Sequence, residues 1–146
     1  MINKGDYDFD TLPNYNENKG VINMIRYAFH KKDWQDAIID MKTMINKGYK
    51  VYVQPMVTLS YSETEITQMI YECNKLDIYA MYIVDSFGAM YGDDFDRLHK
   101  LFEDNLKKGV NLGYHSHNNL QLAYSNAINF VQNKNTDRDI IIDSSI

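Results

Sequence analysis

Five short apolar or β-branched runs recur at intervals of roughly 30 residues, the length of one strand-plus-helix unit. They are residues 21–29 (VINMIRYAF), 50–57 (KVYVQPMV), 80–86 (AMYIVDS), 110–117 (VNLGYHSH) and 139–145 (DIIIDSS). Each is bounded by turn residues and reads as a buried strand. The stretches between them carry helical periodicity. Residues 33–46 place Trp34, Ala37, Ile38, Met41, Met44 and Ile45 on one stripe, with Gly48 following as a C-cap. Ser62-Glu63-Thr64-Glu65 is a capping-box pattern that opens a helix over 62–75, with Ile66, Met69, Ile70 and Cys73 as its apolar face. Residues 93–108 carry Phe95, Leu98, Leu101, Phe102 and Leu106, with Lys107 and Lys108 at the negative end of the helix dipole and Gly109 as cap. Residues 119–132 carry Leu122, Ala123, Ala127, Ile128 and Val131. His99, mid-helix beside Arg97 and Lys100, reads as a solvated residue.

Strand and helix alternating at this spacing means βαβ crossovers and a parallel sheet, so the class is α/β. Two architectures fit: an open doubly wound sheet, or part of a (β/α)8 TIM barrel. A complete barrel needs eight units and typically about 250 residues. Five strands and four helices in 146 residues make any barrel here a partial one. Residues 1–20 are polar and turn-rich and read as a loop or the remnant of a preceding helix, and residues 21–146 as the barrel domain.

Composition narrows the partners. A net charge of −5 with no basic stripe argues against a nucleic-acid partner, and no apolar stretch is long enough to span a bilayer. The one cysteine, Cys73, has no internal disulfide partner, and no signal-peptide pattern is visible, so a reducing cytoplasm is expected.

In parallel α/β folds, ligands bind beyond the C-terminal ends of the strands. Those ends hold the polar residues of the runs: His30, Gln54, Asp85 with Ser86, His115-Ser116-His117, and Asp143-Ser144. Alternate residues on a strand share a face, so the imidazoles of His115 and His117 point the same way, and neutral imidazole is a common ligand for divalent metals. The parity agrees: Asn111, Gly113, His115 and His117 suit a barrel interior, and Val110, Leu112 and Tyr114 suit packing on outer helices. Other positions leave two readings. Asp85 is a metal ligand, or a turn former before Gly88. Arg26 clamps a substrate carboxylate, or is a structural cation paired to an acid on a neighbouring strand; the structural role is the stronger. Gln54 bonds substrate, or fills the barrel interior. Cys73, on an apolar helix stripe, reads as core.

The segment His115-Ser116-His117-Asn118-Asn119-Leu120, followed by Leu122-Ala123 and Asn126, resembles the H-x-H-N-[ND]-L-x-L-A-x-x-N signature of the DRE-TIM metallolyase superfamily. Three further segments agree in order. Val84-Asp85-Ser86-Phe87-Gly88-Ala89-Met90 is similar to the V-D-S-x-G-A-M strand end of the 4-hydroxy-2-oxovalerate aldolases. Ile25-Arg26-Tyr27-Ala28-Phe29-His30 resembles their third strand, and Ile142-Asp143-Ser144-Ser145-Ile146 the segment before their Gly-rich loop. The resemblance implies a divalent metal, Mn2+ or Mg2+, held by His115 and His117, with a 2-oxo acid as substrate and enolate chemistry at a C–C bond. It also implies a substrate contact at Ser86; Gln54 and His30 are further substrate-contact candidates from their strand positions alone. The alternatives are an acyl-CoA-condensing synthase or hydroxymethylglutaryl-CoA lyase-like enzyme of the same superfamily, or a degenerate barrel serving as a non-catalytic binding module. An open-sheet nucleotide binder is disfavoured, because neither GxGxxG nor GxxxxGK[ST] occurs.

The departures are specific. No segment matches the Arg-Asp pair of the family's first strand, and the Gly-rich loop with its Asn ligand has no counterpart. Gln121 and Tyr124 stand where many members have small residues. The chain is therefore expected to hold strands three to seven of eight, to be truncated at both ends and inactive alone, and to self-associate through open barrel edges.

Overall fold

A computed structural model describes residues 1–18, 22–135 and 137–144. Val21, expected to open the first strand, lies outside the described residues, as do Ser145 and Ile146 at the end of the last motif. Six strands alternate with helices: β1 (Ile2–Asn3), α1 (Tyr15–Asn18), β2 (Met24–Phe29), α2 (Trp34–Asn46), β3 (Lys50–Pro55), α3 (Glu63–Cys73), β4 (Ala80–Asp85), α4 (Gly92–Asn105), β5 (Asn111–Ser116), α5 (Ala123–Gln132) and β6 (Ile140–Ser144). No described helix is long and apolar enough to cross a membrane.

All neighbouring strands are parallel and the sheet order is β1-β2-β3-β4-β5-β6. A doubly wound sheet reverses its strand order partway. Here the order never reverses, so right-handed crossovers keep α2 to α5 on one face. The core lies on that face: Ile25, Tyr27 and Phe29 of β2, Val51 and Val53 of β3, Met81 and Ile83 of β4, and Leu112 and Tyr114 of β5 pack with the helix stripes. The opposite face carries a smaller cluster of Ala80, Tyr82 and Val84, packed with Tyr52, Tyr79 and Ile141.

The sheet is curled as well as singly wound. Arg26 on β2 forms an ion pair with Asp143 on β6, four strands away. In a flat sheet those strands would lie about 19 Å apart, farther than the two side chains reach. The curl turns the second face into a barrel-like interior, which selects the partial barrel over the open doubly wound sheet.

Local sequence explains the start of α3 and the end of α2. Ser62 and Glu65 form the full capping box of α3: Glu65 N donates to Ser62 Oγ at 3.3 Å and Ser62 N to Glu65 Oε2 at 2.7 Å. Gly48 follows α2, its N–H donating to Ile45 O at 2.9 Å.

Four expectations need correction. The N-terminal segment is more than a loop: β1 registers Ile2 with Tyr27 and Asn3 with Ala28, adding a sixth strand. α4 ends at Asn105, so Lys107 and Lys108 do not serve its dipole. Lys107 Nζ donates to Leu76 O at 2.7 Å, and Lys108 pairs with Asp137 at 2.9 Å. α5 starts at Ala123, because Gln121 adopts a left-handed φ of 59° that a helix excludes. His99 is buried, not solvated: its ring packs on Phe95 and Phe130, and Nε2 lies 3.7 Å from Glu103 Oε1. Glu103 also faces Arg138, whose guanidinium donates to the carbonyls of Val110 at 2.9 Å and Leu106 at 3.0 Å.

Candidate active site at the strand ends

Two loops make the mouth. The first follows β4. The Asp85 carboxylate, almost fully buried, accepts from Ala89 N at 3.0 Å and Met90 N at 3.1 Å. Of its two sequence readings, the turn-forming one describes these contacts. Ser86 Oγ accepts from Val57 N at 2.8 Å and so ties this loop to the end of β3.

The second loop follows β5 and is stitched to the first. His117 N donates to Asp85 O at 3.3 Å, and Leu120 N to Gly88 O at 2.9 Å. The backbones approach so closely that a Cβ on Gly88 would sit 2.4 Å from Asn119 N and 2.8 Å from His117 C, and Gly88 itself has a left-handed φ of 62°. Only glycine fits both conditions. Asn118 Oδ1 accepts from Ala123 N at 3.2 Å at the start of α5, and buried Asn126 donates to Met90 O at 2.9 Å. The Asn residues of the segment after the histidines thus fix the loop and its helix.

His115 and His117 are brought together, their ring centroids 5.2 Å apart and their planes near perpendicular. Each Nδ1 has a partner: Asp143 Oδ1 for His115 and the Asp85 carbonyl oxygen, at 2.9 Å, for His117. A carboxylate or backbone carbonyl on one ring nitrogen is the usual outer support of a metal-binding histidine. Among the described residues, no group of three or more His, Cys, Asp or Glu is arranged to hold a metal.

Behind His115 lies a polar chain that crosses the curled face. Asp143 accepts from His115 and pairs with Arg26. With its amide oxygen toward the guanidinium, buried Gln54 accepts from Arg26 Nε at 3.1 Å and Nη2 at 3.0 Å. The guanidinium also lies over the Tyr82 ring, 5.7 Å from its centroid. Burial alone would raise the Asp143 carboxyl, but the bonds from His115 and Arg26 outweigh it and hold it below the usual carboxylate range. Arg26 is the paired cation expected from its apolar strand, with the correction that its acid lies across the interior and not on a neighbouring strand. Asp143 was visible as a polar strand end, but nothing local marked it as the partner of both His115 and Arg26.

The three residues expected to contact substrate are spread around this centre. Gln54 sits beneath Arg26 on the interior face. Ser86 stands on the β4 loop. His30 is exposed at the end of β2 and lines a hollow with Asn3, Lys4, Asp6, Phe29 and Met56.

No family model matches the chain, and no curated protein does. Solved structures do. The N-terminal domain of a protein described as an aldolase from Bacteroides vulgatus superposes with a TM-score of 0.81 at 23% identity, covering 99% of this chain and 47% of that one. The carboxyl transferase domain of Rhizobium etli pyruvate carboxylase, determined with pyruvate, gives 0.69 at 13% identity, covering 95% of this chain and 25% of that one. The same domain with 3-hydroxypyruvate gives 0.69 at 13% identity, covering 95% and 24%. The chain spans about half the length of the first and a quarter of the others. At these identities the likeness shows the fold, and the fold is that of a partial, TIM-barrel-like α/β domain.

Proposed function

We propose that this chain carries the metal-holding side of a divalent-metal-dependent aldolase or lyase that acts on 2-oxo acids. One observation carries the reading: two imidazoles meet at adjacent strand and loop positions, each with Nδ1 supported, in the mouth of a curled parallel sheet. Nε2 of His115 and of His117 would hold Mn2+ or Mg2+. When bound, such a metal supplies Lewis-acid stabilisation of the negative charge that develops on a 2-oxo acid as a C–C bond is made or broken. The chain's own groups orient and enclose. Asp143 and the Asp85 carbonyl set the two rings, and the stitched loops hold His117 against β4. Ser86, whose oxygen is engaged by Val57 N, has its hydroxyl proton to offer substrate. Exposed His30 offers a further polar contact from the β2 end of the mouth. The carboxyl transferase domain that shares the fold was determined with pyruvate, itself a 2-oxo acid, which supports this substrate class. Within it, the Val84-to-Met90 segment favours an aldolase of the 4-hydroxy-2-oxovalerate type over the acyl-CoA-condensing enzymes.

A second reading, a barrel-like binding module without catalysis, is favoured by the absence of a third His, Cys, Asp or Glu ligand among the described residues. Manganese separates the two. Titration of the chain with Mn2+, followed by the electron paramagnetic resonance signal of the free ion, is expected to show weak uptake that His115→Ala and His117→Ala each abolish. Pyruvate methyl protons should then broaden beyond the effect of free Mn2+ when the native chain is added, and not when either histidine variant is. A native chain that takes up no Mn2+ at millimolar concentration refutes the metal reading and leaves the binding module.

A further inference from the structure

We infer that Asp143 is the positioning residue of this site: it fixes His115 in the tautomer that carries its proton on Nδ1 and turns Nε2 to the mouth. The inference rests on the reading of His115 as a ligand, and it adds a residue from a different strand. Its first support is register. His115 and Asp143 are Cα partners in the β5–β6 ladder, so backbone hydrogen bonding sets the carboxylate beside the ring before any side chain is chosen. The second is the donor inventory. A carboxylate facing a guanidinium is ionised at neutral pH and can only accept, so the His115 nitrogen that meets Oδ1 must donate. The third is that the carboxylate is itself held. Its other oxygen meets Arg26 Nη2, and Arg26 is fixed by Gln54 Oε1 and by the Tyr82 ring. Four strands, β2, β3, β4 and β6, thus converge on the orientation of one imidazole on β5. His117 shows how the other ring is handled: its Nδ1 meets a main-chain carbonyl, which no side-chain substitution removes.

The same contacts could serve only as a staple that joins β2 to β6, and the test separates the two roles. The metal-free chain, labelled with 15N at histidine, reports the tautomer of each ring. The native His115 is expected to carry its proton on Nδ1. Asp143→Asn should shift His115 toward the other tautomer and weaken Mn2+ binding by about 10- to 100-fold. Arg26→Gln breaks the staple but leaves Oδ1 on the ring, so it should preserve the His115 tautomer. A staple-only role predicts that the two variants lose stability alike and that neither moves the tautomer. A native His115 protonated on Nε2 overturns the inference without any variant. So does an Asp143→Asn chain with unchanged ring shifts, or an Arg26→Gln chain with equally changed ones. If the native chain binds no Mn2+, the metal reading fails on its own, and the spectra of the metal-free protein still decide what Asp143 does.

Discussion

Replacing Gly88 by alanine should be among the most damaging single-methyl additions in this chain, and the structure gives the size of the effect. The residue's φ of 62° lies in the left-handed region, where a Cβ costs about 1–2 kcal/mol. The new Cβ would also fall 2.4 Å from Asn119 N, 2.8 Å from His117 C and 2.9 Å from Asn118 N, all main-chain atoms that cannot rotate away. Relief requires the two loops to separate, which breaks the Leu120 N to Gly88 O bond of 2.9 Å and strains the His117 N to Asp85 O bond of 3.3 Å. At about 1 kcal/mol for a net hydrogen bond, the sum is about 3 kcal/mol. For a chain of this length that lowers Tm by about 10 °C. Thermal unfolding followed by circular dichroism, paired with urea titration, measures it. Gly92→Ala is the control: it opens α4 with open space around the added methyl, and it should stay within about 1 kcal/mol of native or gain stability. A Gly88→Ala chain within 0.5 kcal/mol of native, on the order of the effect of a neutral surface change, would refute the close-approach argument.

Three further outcomes follow from other parts of the molecule. Ser62→Ala removes the acceptor of the α3 capping box and should cost about 1 kcal/mol in urea unfolding, whereas Ser62→Thr should restore most of it. Burial, opposed by the Glu103 carboxylate, holds His99 below its ordinary value. A histidine lowered in the folded state contributes stability that is complete above the unfolded value of about 6.5 and is lost as pH falls below it. Unfolding free energy should therefore drop between pH 7 and pH 5, and His99→Gln should flatten that slope; an unchanged slope refutes the assignment. Finally, β6 is the last strand of the described sheet, and the ten residues of α5, which packs on β5 and α4, include no charged side chain and expose Tyr124, Ile128 and Val131. Sedimentation should show self-association that Tyr124→Lys and Ile128→Lys reduce, and a monodisperse native monomer would count against it.

The repeating architecture was legible in the sequence because each signal was local. Each apolar run, the Ser62-to-Glu65 capping box, Gly48 after α2 and the parity of β5 depend on residues within one turn or one strand, and the 30-residue spacing only repeats such local signals. His99 was also within reach: positions 95, 98, 99 and 102 share one helical face, and the exposed neighbours Arg97 and Lys100 drew the reading away from it. The start of α5 was misplaced because Leu120, Leu122 and Ala123 look helical in composition, while the left-handed Gln121 and the Asn118 contact to Ala123 N that set the boundary have no compositional signature. β1 was out of reach, since two residues carry no periodicity and only pairing with Tyr27 and Ala28 defines them as a strand. The Arg26–Asp143 pair was out of reach for a different reason: strand-end lists give the residues at a mouth but not which of them face one another across it.

That last gap shows what the site depends on. Tyr82 is the Cα partner of Gly113, and its ring lies where a Cβ on residue 113 would fall, 2.4 Å from Cδ1. Because position 113 is empty, the ring can lie flat toward β5 and still present its face to Arg26. Arg26, so supported and held by Gln54, reaches Asp143, and Asp143 meets His115. Large beside small in an interior layer is how a barrel fills its taper, but here the packing also carries a guanidinium to a carboxylate four strands away. Straightening the sheet would separate Arg26 from Asp143 while leaving the His115–Asp143 register intact, because that register belongs to adjacent strands. The orientation of His115 therefore has two layers of support, one set by the β5–β6 ladder and one by curvature. The second is the one that ties the chemistry of the mouth to the barrel-like shape of the whole domain.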